Sequence, residues 1–144
     1  MLKGYLIAAA AMVGLAWQAA RAELPEFDDF FKAVASCALD IARYDLGARL
    51  RGRADAAIVS LPNSGSVRGL LVTGFFFSPG RGVEDKYGLV FNAPLDVVAG
   101  TFPELAGHRA VNGHLRTLTR LSDETAEPDA RRRTLLACSA GMEI

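Results

Sequence analysis

The stretch Leu70–Phe77, LLVTGFFF, constrains the fold of this chain more than any other. Its aromatic and β-branched content suits a strand. A strand with one solvated face alternates apolar and polar residues. This one does not. Simple alternation sends Leu71, Phe75 and Phe77 one way and Leu70, Val72 and Phe76 the other, so both faces need cover. One form of cover is sheet curvature or a loop, with Gly100–Gly113 the candidate. The other is a small apolar ligand or a second copy of the chain, because exposed apolar patches mark interaction sites. In that second case Leu70, Val72 and Phe76 are the candidate ligand-binding residues.

Upstream, Phe27, Phe30, Phe31, Val34, Cys37, Ala38 and Ile41 recur at steps of three and four, which predicts an amphipathic helix. Asp28 and Asp29 suit its first turn, Tyr44 extends the stripe, and Gly47 offers a stop. Ala56–Leu61 reads as a short strand, and PNSGS at 62–66 as the turn leading into the strand Arg68–Phe77. A charged loop over 78–86 and the strand Tyr87–Asn92 follow. Leu95–Ala99 is a short strand or a helical turn, Phe102 and Leu105 are spaced for one turn of helix, and Asn112-Gly113 is a turn. His114–Ser122 and Arg133–Ser139 complete the strands. The expected fold class is α+β: one N-terminal helix packed on an antiparallel sheet of four to six strands.

The first 22 residues read as a cleaved secretory signal rather than as part of that domain. Lys3 gives a positive start, Gly4–Trp17 an apolar run, and Ala20-Arg21-Ala22 a small-x-small cleavage site before Glu23. Gln18 and Arg21 close the run short of the roughly 20 residues that a spanning helix needs. The domain is therefore expected over Glu23–Ile144, in the periplasm or secreted, with no membrane anchor. Without Lys3 and Arg21 it carries 14 basic against 16 acidic residues, a net −2 that offers no field for nucleic acid. In such a compartment Cys37 and Cys138, far apart in sequence, predict a disulfide rather than a metal or redox pair, which favours close spacing. A loop of that length is stabilised by up to ~4–5 kcal/mol when closed. The bridge would join the helix to the last strand.

No catalytic pattern stands out. His108 and His114 are separated by turn residues, which does not imply a metal site. The serines lack a nucleophile elbow. SPGRG at 78–82 lacks the GxxxxGK[ST] spacing of a phosphate loop. No cofactor is expected. The loop over 78–86 instead places Arg81, Glu84, Asp85 and Lys86 as candidate partner-binding residues, since binding residues concentrate on loops. Arg131–Arg133, with Arg116 and Arg120, form a second basic cluster if the last two strands pair. These features point to a small exported binding protein of the envelope without catalysis, of inhibitor or immunity type, acting on a hydrolase. The alternatives are a carrier of a small apolar ligand and an enzyme whose site has no recognisable pattern.

Overall fold

The computed structural model of the chain describes residues 26–40, 57–78 and 86–140. Two helices and six strands are formed there: α1 (Phe27–Ala35), β1 (Ala57–Val67), β2 (Leu70–Ser78), β3 (Lys86–Phe91), α2 (Leu95–Thr101), β4 (His108–Val111), β5 (His114–Arg120) and β6 (Thr134–Ala140). The described strands make one antiparallel sheet in the order β1-β2-β3-β6-β5-β4. The α+β class and the Cys37–Cys138 disulfide expected from the sequence are both present. The signal segment and the end of the predicted helix, Ile41–Gly47, lie outside the described residues.

Helix α1 forms where the apolar spacing predicts and buries Phe30, Phe31 and Val34, with Asp28 and Asp29 in its first turn. It stops earlier than the periodicity suggests. Cys37 adopts a left-handed backbone (φ 52°). The Cys37 amide donates to Val34 O and the Ala38 amide to Ala33 O (2.9 Å), so the helix ends in a Schellman motif with cysteine in the place glycine usually holds. The disulfide therefore starts just past the helix rather than on it. Its Cα atoms are 5.6 Å apart, an ordinary span for this bond.

The PNSGS segment is not the hairpin turn. It lies inside β1, where the register against β2 slips between Ser60 and Gly65. The turn is Arg68-Gly69, both with positive φ, the arrangement that matches strand twist in a two-residue hairpin. A second irregularity falls in β2. Val72 pairs with Phe91 and Gly74 with Val90, so Thr73 is an extra residue. This bulge changes the phase of alternation. Val72 thereby joins Phe75 and Phe77 on the side of α1, while Phe76 faces the other way.

Both faces of the sheet are covered by the chain itself. On the α1 side, Phe31, Phe91 and Phe102 form a triangle of rings with centroids 5.7–6.0 Å apart. Leu105 and Val98 join the same cluster. The 100–113 segment, expected over the second face, thus packs on the first. The second face, with Phe76, Val90, Leu135 and Ala137, is covered by Leu121 and Ala130 of the 121–133 segment. That segment is pinned at Leu121 N to Arg133 O and by the Lys86–Glu124 ion pair.

Gly88 marks the closest approach in the sheet: a Cβ there would sit 2.1 Å from Leu136 O. Gly88→Ala is expected to cost about 3 kcal/mol or more through overpacking of β3 on β6. Gly100→Ala, which meets nothing within 4 Å in α2, is expected to be neutral or to gain up to ~1 kcal/mol. Urea unfolding of the two variants checks the contrast. Burial also pushes the Tyr87 phenol above its ordinary value, with the Leu39 backbone acting in the opposite sense. The unfolded chain then loses this proton first, so stability held below about pH 10 declines as the pH rises through the folded-state value. Tyr87→Phe is expected to flatten that alkaline decline in the urea midpoint.

Candidate functional site

The β4–β5 hairpin turns at Asn112-Gly113, again with both φ positive. A two-residue turn fixes the register, and it sets Arg109 directly opposite Arg116. Residues opposite one another share a face, and like charges so placed are destabilising. Arg116 is 91% buried, being only 9% exposed. Its Nη1 donates to Ala35 O (2.8 Å) and its Nη2 to Glu104 O (2.9 Å), while its Nε is buried without a partner. Burial first, then the charge of Arg109, push its guanidinium below the ordinary value, and Glu104 acts against both.

These groups open onto a shallow, widely open cleft of about 610 Å³ between α1 and β4, lined by Phe31, Lys32, Ala35, Arg109, Val111 and Arg116 among others. Three of the lining side chains are cationic and none is a carboxylate. The carboxylate of Glu104 is engaged elsewhere, 2.6 Å from Arg68 Nη1. Strand β4 is also an edge of the described sheet, with β5 on one side and no strand on the other. Among the described residues the cleft is therefore cationic at one wall, apolar at its base and bounded by an edge strand with no neighbour on its outer side.

The residues singled out from the sequence fall in several places. Arg81, Glu84 and Asp85 lie outside the described residues. Lys86 begins β3 and is held by Glu124. It nevertheless sits at the same end of the sheet as the cleft, since Lys86 pairs with Ser139, Ser139 with Leu115 and Leu115 with Ala110. Three strand spacings, roughly 14 Å, separate β3 from β4. Leu70, Val72 and Phe76 are not brought together: Val72 and Phe76 have no exposed surface and belong to opposite faces, and Leu70 packs against the α1-side cluster.

His108 and His114 fall on opposite faces of their hairpin, because Arg109 and Arg116 share the α1 side. The second basic cluster divides. Arg116 is buried at the cleft, whereas Arg120 and Arg131 line a separate groove of about 810 Å³ that already contains Asp96. Arg109 was not singled out from the sequence, although the signal is there. Asn112-Gly113 as a two-residue hairpin turn pairs every residue before it with a defined one after it. Extending that register backward through HRAV puts one arginine on the other.

No protein-family model, no curated protein and no solved structure matches the chain. The geometry stands by itself.

The Arg109–Arg116 opposition has a measurable cost. Arg109→Ser is expected to stabilise the fold by about 0.5 kcal/mol at low salt, and the gain should shrink as added sodium chloride screens the pair. Arg116→Met, which strands the Ala35 and Glu104 carbonyls, is expected to lose about 1–3 kcal/mol. Thermal and urea unfolding at two ionic strengths test both.

Proposed function

We propose that this chain is a non-catalytic binding protein of an oxidising, exported compartment, and that it engages a partner protein through the cleft between α1 and β4. The observation that carries the reading is the cationic lining: Arg109 held against buried Arg116, beside Lys32, with no carboxylate among the described lining residues. Proteins retain such locally unfavourable arrangements where function needs them. The Cys37–Cys138 disulfide is compatible with an extracellular or periplasmic setting. No described helix is long and apolar enough to cross a membrane.

An inhibitor or immunity-type role toward a hydrolase fits a small rigid domain of this kind. The cleft and the ends of the 79–85 segment, marked by Ser78 and Lys86, share one end of the sheet. A partner seated in the cleft therefore lies toward the end of the sheet that carries Ser78 and Lys86. The carrier reading is less well supported, because Val72 and Phe76 are filled into the two cores.

A photo-crosslinking residue placed at exposed Ala110, in cells producing the protein, is expected to give one discrete adduct with an identifiable exported protein. Arg109→Glu in the same chain should abolish it. The same residue at Ser122, beside the Arg120–Arg131 groove, should give none. Equal adducts from both positions, or an Ala110 adduct indifferent to Arg109→Glu, would remove the cleft as the docking face.

A further inference from the structure

We propose that the cleft receives an extended acidic segment of the partner, which adds as a seventh strand on the outer edge of β4 and sets a carboxylate against Arg109 and Lys32. This rests on the docking reading above and specifies its chemistry. Two independent features point to it.

The first is the edge itself. Of the two edges of the described sheet, β1 is broken by the register slip between Ser60 and Gly65, with Pro62 in the interrupted stretch. Proline and irregular register both blunt an edge against strand addition. Strand β4 pairs without interruption from His108 to Val111, and His108, Arg109 and Ala110 are exposed. Main-chain pairing to such an edge supplies affinity, while alternate side chains supply specificity.

The second is charge. A strand laid beside β4 directs alternate side chains toward the α1 side, where Arg109 and Val111 lie two residues apart. The matching segment carries an acidic residue and an apolar residue two positions apart. The acid meets Arg109 and the nearby Lys32; the apolar side chain meets Val111 above Ala35 and Phe31. The same charge rejects the commonest wrong partner. A second copy of β4 would bring another arginine to a wall that already opposes two, so the edge disfavours self-association while admitting an acidic strand.

The test uses the oxidised chain and end-capped threonine hexapeptides as probes. One peptide carries glutamate and valine two positions apart. A second has lysine for glutamate, a third has glutamate and valine adjacent, and a fourth is the first with alternate backbone nitrogens methylated. Amide resonances of 108–111 followed by NMR titration are expected to shift saturably with the first peptide. Its affinity should be tenfold or more above that of the other three and should fall with added salt. Arg109→Glu, checked for a thermal midpoint no lower than that of the unsubstituted chain, is expected to lose the glutamate peptide and to bind the lysine peptide instead.

Equal affinity for the glutamate and lysine peptides would overturn the proposal. So would shifts centred on Arg120 and Arg131, no shift at millimolar peptide, or concentration-dependent dimerisation through 108–111. A crosslink at Ala110 that still depends on Arg109, with no peptide binding, would leave the docking face standing and remove only the acidic strand. Loss of both would remove the face itself.

Discussion

The fold depends on how the end of α1 is held. A nine-residue helix is too short to persist in water without tertiary support. The support comes from two directions. Phe30, Phe31 and Val34 bury one face in the aromatic cluster. Beyond the last turn, Cys37 is bonded to Cys138 in β6, the strand between β3 and β5. A cysteine in left-handed backbone costs about 1–2 kcal/mol relative to a residue in the right-handed region. The Schellman hydrogen bonds and the covalent tie keep it there.

That ending also explains the cleft. The last carbonyls of a helix lack partners within the helix. Here they are met by another element: Ala35 O accepts from Arg116 Nη1 and Ser36 O from Asn112 Nδ2 (2.6 Å). The β4–β5 hairpin thus caps α1, and a cation near a helix C-terminus is favoured by the dipole. Arg116 is drawn inward by this role. Arg109, its cross-strand neighbour, is left facing the space between hairpin and helix. The structural requirement for one arginine places the other directly across from a like charge.

What the sequence made legible divides along the same line. Helical periodicity in Phe27–Val34, the strand character of LLVTGFFF and the long-range cysteine pair all come from strong side-chain preferences, and the corresponding features are present. The failures involve backbone exceptions. Cys37 continues the apolar stripe in sequence yet leaves the helix, because a left-handed cysteine has no compositional mark. PNSGS has turn chemistry but is absorbed as an irregularity in β1, while Arg68-Gly69 makes the turn. Thr73 shifts the phase of β2, so simple alternation misassigned Leu70 and Val72 to the face of Phe76. The cleft was hidden for a related reason: β4 is short and mostly exposed, and only the register imposed by its turn reveals what it carries.

The position of β6 makes it the join of the sheet. It is the last described strand in sequence and lies between two hairpin systems, β1-β2-β3 and β4-β5. Without it, β3 and β5 would each present an open inner edge. That one strand both joins the two hairpin systems and carries the sulfur bonded to Cys37. A chain lacking β6 would therefore leave β3 and β5 without the strand that pairs with both, and unpaired edges of that kind favour aggregation.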